Sequence, residues 1–420
     1  MNEQPAVPVL RNKTFLILWG GQVVSLLGDT LFNLALMWWV VSVTESAVAV
    51  SFVALATSLP MLILGPFVGV YIDRSDKRLM MLAAHTLNGL ITAVMALLYW
   101  RGIFSLPIIL VAAVLMGIVS NLDGPAYEAS IPVVVDKDEL VRANSLMETA
   151  GSIIRLLAPA LSGVLIAAAG VGAAILANSI SYFVAALSLC IIRFASPKIE
   201  SGAQSFKNDF KSGLQFIFRH PVLMPMLIYG AMINLVLAPI SVSIPLLIMK
   251  VLEGGPALMG LFGSFQSAGV LAASLILTSA PYLIKKSGLV LIISAVALGA
   301  VTLVVAFAPH QGWLLIGGAL VGFVLVTANM ASRNIWQREV PAELRGRAFT
   351  ARETISSGLR PLGQALAGPA VAVVGPVFMI ASAGVLCMVG GLLGFFVPAV
   401  HTYPKEQAST LLEVPVSSDD

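Results

Sequence analysis

The chain is a succession of long apolar runs, and that pattern restricts its fold more than any other feature. Twelve runs lie near 14–42, 47–71, 79–100, 106–127, 142–169, 173–194, 222–250, 257–281, 288–308, 313–333, 347–373 and 376–399. Each is long enough to cross the roughly 30 Å hydrocarbon core of a bilayer as a helix. A membrane barrel would instead show alternating segments of about ten residues. Of the 420 residues 58% are hydrophobic and 11% charged, against about 25% charged in soluble domains. No soluble interior hides that much apolar surface, so the expected class is an all-α polytopic membrane protein.

Where the charges lie matters more than their net value of +3. With the N-terminus placed in the cytoplasm, 20 of the 24 Lys and Arg fall on the cytoplasmic side. Arg101 and Lys250 fall on the opposite side, and Arg155 and Arg360 lie inside spans. This asymmetry predicts a multi-pass membrane protein with both termini in the cytoplasm. The opening MNEQPAVPVLRNK, followed by an apolar run too long for a signal h-region, reads as the approach to a first span. Cys190 and Cys387 fall within apolar runs, and His85, His220, His310 and His401 are scattered. Neither a disulfide nor a metal site is expected, and no nucleic-acid partner.

A duplication runs through the chain. Residues 142–163, RANSLMETAGSIIRLLAPALSG, recur at 347–368 as RAFTARETISSGLRPLGQALAG, with ten of 22 positions identical at an offset of 205. The identities include Arg142/Arg347, Glu148/Glu353, Arg155/Arg360 and Gly163/Gly368. An ionised group at the centre of a span costs about 2.5–3.5 kcal/mol on insertion scales. Accepting it twice at matching positions points to two related halves with functional polar groups inside. The expected organisation is a six-helix bundle over 1–194, a linker at 195–221, a second six-helix bundle over 222–400 and a tail at 401–420. Phe206, Phe210, Leu214 and Ile217 in the linker recur at helical spacing beside Lys207 and Lys211. They predict an amphipathic helix on the membrane surface; a calmodulin-type target or a plain linker is the alternative.

Glu148 and Arg155 are seven residues apart and share a helix face, as do Glu353 and Arg360. Both faces are expected to point toward the protein interior or the cytoplasmic half of the cavity, because lipid exposure of the arginines is costly, for a structural ion pair or for handling of substrate or protons. Asp29 lies 15 residues beyond Thr14, about 22 Å along a helix. At that depth its short side chain reaches water only through a cavity. Asp29, with Glu148 and Arg155, is therefore a candidate for carrying protons; a buried hydrogen-bonded acid used in packing is the competing reading. Phosphate-loop, dinucleotide, zinc-protease and nucleophile-elbow motifs are absent from the sequence. No enzyme and no cofactor is expected, and uphill transport would draw on an ion gradient.

Between spans two and three stands GVYIDRSDKR, 69–78. Gly69, Asp73, Arg74, Lys77 and Arg78 match the signature loop of the major facilitator superfamily, while Asp76 stands where that family usually has glycine. The stretches 21–36, 123–135, 140–146 and 337–350 resemble the branch containing macrolide exporters and related drug:proton antiporters. Within RLLAPALSG, 155–163, Pro159 and Gly163 are similar to the antiporter signature, with Ala158 and Ser162 in place of glycines. The resemblance implies twelve helices in two pseudo-symmetric six-helix bundles that alternate access to a central cavity. It implies that the signature loop latches the outward-open state through span eleven and through Asp123 or Glu128 in span four. Spans one and seven line the cavity in the family, which makes Gln22, Asn33, Trp38 and Asn234 candidate lining groups, with Gln266 in span eight. The implied activity is proton-coupled export of small amphipathic drugs by a monomer, with protons and membrane lipids as its other partners. Export of an endogenous compound such as a siderophore, movement of a lysophospholipid, and a non-transporting receptor or scaffold are the other readings.

Overall fold

The computed structural model describes residues 8–194, 206–341, 344–401 and 403. Among them the chain is helical, with no strand. The first helices are α1 (Lys13–Thr44), α2 (Ala47–Arg74), α3 (Lys77–Trp100), α4 (Leu106–Val134) and α5 (Leu140–Ile191). A short α6 (Phe206–Arg219) leads to α7 (Leu223–Leu246), α8 (Pro256–Ser279) and α9 (Ser287–Ala306). The last long ones are α10 (Gln311–Glu339), α11 (Arg345–Val374) and α12 (Pro376–Gly394).

Among the described residues nine helical runs are long and apolar enough to cross a membrane. The remaining expected segments fall outside that number. The described apolar run of α2 is only Ala47–Pro60. Helix α11 carries Arg345, Arg347, Arg352, Glu353 and Arg360. Helix α5 counts once, yet its 52 residues would extend about 78 Å if straight, more than twice the hydrocarbon core. It breaks at Gly170, with φ 81° and ψ 171°, backbone angles that glycine alone adopts readily. The break divides α5 into a first and a second arm. Gly375, 205 residues later, joins α11 to α12 with φ 81° and ψ 162°. The sequence offset is thus also a backbone offset.

Small residues set the packing, as expected where lipid offers no hydrophobic drive between helices. Gly28 of α1 faces the second arm of α5 so closely that a Cβ there would lie 2.6 Å from the Asn178 Oδ1. Ser179 Oγ on that arm donates to the Gly89 carbonyl of α3 at 2.9 Å. Within the first five helices α1 and α3 pack on α5 and α4 packs on α2 and α3; among the later ones α7 packs on α11 and α12, α10 on α8 and α9, and α12 on α9. Two seams join the sets, α5 with α8 and α2 with α11. At the first, a Cβ on Gly163 would stand 2.9 Å from the Ala257 Cα; at the second, a Cβ on Gly368 would stand 2.8 Å from the Val48 Cα. The same glycine of the repeat thus meets the first turn of a partner helix in both copies, α8 for Gly163 and α2 for Gly368. Both contacts lie at the end of the molecule opposite the basic loops. There Lys250 Nζ also meets Glu45 Oε2 at 3.3 Å.

Helix α6 forms as the periodicity predicts, but its apolar face is not left to lipid. Ile217 is fully buried in a cluster with Leu223, Trp336, Ala348 and Ala351. Gly213 lies against the backbone of Arg347 and Ala348. The start of α11 covers this part of the helix, and Phe218 remains exposed.

Candidate functional site

Three polar places lie within the spans. The first is a buried cluster inside the first five helices. The Tyr182 hydroxyl, on the second arm of α5, donates to Asp29 Oδ1 on α1. Asp123 of α4 meets His85 Nε2 of α3 at 3.3 Å and accepts from Gln22 Nε2 at 3.4 Å. The His85 and Tyr182 ring centroids are 6.0 Å apart, so the Asp29–Tyr182 and His85–Asp123 pairs adjoin. Four helices thus bring two carboxyl groups, an imidazole and a phenol together in an apolar surround. Among the described residues, the buried His85 Nδ1 and Asn88 Oδ1 keep no hydrogen-bond partner. Groups of this kind can hold and pass a proton. Asp29 is legible in the sequence as an ionisable group in an apolar run, and His85 and Tyr182 carry a similar signal.

The second place is a cavity of about 730 Å3 at the α5–α8 seam. Asn33, Asn234 and Gln266 line it, and so do Arg360 and Pro159. Its other walls are mainly apolar, with Met37, Met259 and Phe262. Trp38 packs instead against the apolar cluster around Phe104 and Trp39.

The third is a pocket of about 590 Å3 near the basic end of the first helices, lined by Gln22, Glu128, Glu148 and Arg155. Arg155 Nη2 donates to Glu148 Oε1 at 2.6 Å, and both side chains are more than half exposed. The repeated pair does not form in α11. Glu353 stands beside Arg352, whose guanidinium lies 4.9 Å over the Trp336 ring.

Gly69, Asp73 and Arg74 fall in the last turns of α2, and their side chains lie outside the described residues. Asp76 caps α3 by accepting from the Leu79 N–H at 3.1 Å, an N-cap role that glycine would fill less well. Lys77 is buried. Arg78 Nε donates to the Leu189 carbonyl at 2.8 Å, at the end of α5, where a cation is favoured. In this conformation Arg78 therefore does not meet Asp123, which His85 and Gln22 engage, nor Glu128, which faces the basic-end pocket.

A family model described as a transmembrane secretion effector matches residues 5–417. The chain belongs to the major facilitator superfamily. It is a membrane transporter and not an enzyme. Macrolide efflux protein A of Streptococcus pyogenes is 24% identical over 358 residues, covering 83% of this chain and 87% of that one. The staphyloferrin A transporter of Staphylococcus aureus is 26% identical over 343 residues, covering 81% and 85%. Among solved structures, the nucleoside transporter NupG superimposes with a TM-score of 0.74 over 92% of this chain and 99% of that one. At 12% identity that likeness speaks for the fold alone.

Proposed function

We propose that this transporter is a proton-coupled exporter of amphipathic compounds, working by alternating access between two six-helix bundles, with α6 as the connector. The first bundle comprises α1 to α4 and the two arms of α5; the second comprises α7 to α12. Both termini and the basic loops face the bacterial cytoplasm, as the distribution of Lys and Arg favours. The seams are closed at the far end, which makes this the state that loads substrate from inside.

One observation carries the coupling. Helix α1 turns Asp29 toward Tyr182 and, within one turn, lends Thr30 and Asn33 to the cavity. Asn33 Nδ2 also donates to the Asp29 carbonyl at 2.8 Å. Protonation of Asp29 would change what holds α1 against α5, and the same helix carries the change to bound substrate. The relative named for macrolide efflux supports a drug cargo, and the one named for staphyloferrin A keeps an endogenous cargo as the second reading. The test uses proteoliposomes under an imposed pH gradient. Asp29→Asn is expected to abolish gradient-driven accumulation while substrate still binds and equilibrates. Continued accumulation by that variant would place the coupling elsewhere.

A further inference from the structure

Arg360 lies 15 residues into the 30-residue α11, about 22 Å from its start and so halfway along it. Its repeat counterpart Arg155 is neutralised by Glu148 at 2.6 Å. Arg360 has no hydrogen-bond or ion-pair partner among the described residues. Asp29, the nearest acid of α1, is turned away to Tyr182, and no carboxylate lines the central cavity among the described residues. Gln266 likewise has no partner for its amide, whereas Asn234 uses one N–H on the Gly230 carbonyl at 3.1 Å. The cavity therefore offers one fixed positive charge, free amide groups and an apolar wall with Met37, Met259 and Phe262. An uncompensated guanidinium at this depth is expensive unless something that enters the cavity pairs with it.

We infer that the central cavity selects an amphipathic anion, its carboxylate paired with Arg360 and Gln266 and its apolar body against Met259 and Phe262. Guanidinium and carboxylate pair through two parallel hydrogen bonds, a geometry that gives selectivity as well as affinity. The idea rests on the exporter reading, but binding and transport test the two separately.

The experiment measures binding of three fluorescent probes to the purified protein in dodecylmaltoside: dansyl-aminoundecanoic acid, its methyl ester, and the matching dansyl-alkylammonium. The acid is expected to bind at least tenfold more tightly than the other two. Arg360→Gln should level the three while leaving ester binding intact, which shows that the variant is folded. Arg360→Lys should keep part of the preference, and Arg101→Gln, at the exposed end of α3, all of it. Tighter binding of the ammonium, equal binding of all three, binding of none, or an acid preference that survives Arg360→Gln would each overturn the proposal. In nanodiscs of phosphatidylcholine, displacement of the acid by added phosphatidylglycerol would assign Arg360 to a lipid headgroup and overturn it too. If the acid binds selectively but is not concentrated in proteoliposomes under a pH gradient, the exporter reading fails and the anion site stands. If the ammonium is concentrated and the acid is ignored, the reverse holds.

Discussion

Tyr182 and Asp29 meet between α1 and the second arm of α5, where removal of either partner leaves the other buried and underbonded. Losing a buried hydrogen-bond partner costs about 1–3 kcal/mol. Tyr182→Phe should therefore lower the thermal stability of the detergent-purified protein by that amount. Combined with Asp29→Asn, the losses should be less than additive, as for groups that share one interaction. An unchanged melting temperature for Tyr182→Phe would mean that the hydroxyl does not stabilise the carboxyl group. The sequence alone exposes Asp29 through its depth in span one, but it does not show which residues surround it. Leu90, Val94 and Leu97 of α3 are half exposed while Met81, Met95 and Ala96 of the same helix are buried. The buried face also carries His85, Asn88 and Thr92 at helical spacing, so the inward rotation of α3 is legible in the sequence. Which helix meets that face, and with it the pairing of His85 with Asp123, is not.

The two turns at Gly170 and Gly375 give each half the same final hairpin. A Cβ at Gly170 would meet no heavy atom within 4 Å, so any penalty there comes from backbone angles alone. Gly170→Ala is expected to destabilise by about 1–3 kcal/mol in thermal unfolding. Gly20→Ala, in mid-helix and also with open space around its Cβ, should be neutral or stabilising by up to about 1 kcal/mol. Equal melting temperatures for the two variants would remove the special role of the turn. The duplication that these glycines belong to was readable from Arg155/Arg360 and Gly163/Gly368. The docking of α6 was not. Its apolar stripe shows that something covers Phe210 and Ile217, but a lipid surface and the start of α11 ask for the same side chains.

At the scale of the molecule, the closed end is held by close glycine contacts, Gly163 and Gly260 at one seam and Gly368 at the other, and, among the described residues, by the ion pair of Lys250 with Glu45. Lys250 and Glu45 are 42% and 67% exposed in their side chains, so the pair contributes only about 0.2–1 kcal/mol. That is small for stability yet enough to bias two states of similar energy, since each 1.4 kcal/mol is about tenfold in their ratio. Glu45→Lys replaces attraction with repulsion in the closed-end state alone and should move the population toward the state open at that end. The shift is expected to be about three- to tenfold, given the exposure of the pair. It can be read in vesicles as the rate at which an impermeant maleimide, added outside, labels Asn234→Cys in the cavity of a Cys190→Ser/Cys387→Ala background. The double reversal Glu45→Lys/Lys250→Glu restores the attraction with its sign exchanged and should return labelling to the starting rate. If Glu45→Lys leaves labelling unchanged, the ion pair has no part in the gate, and closure rests on the approach of Gly163 to Ala257 and of Gly368 to Val48. If labelling rises and the double reversal fails to lower it, the lysine acts through something other than Lys250.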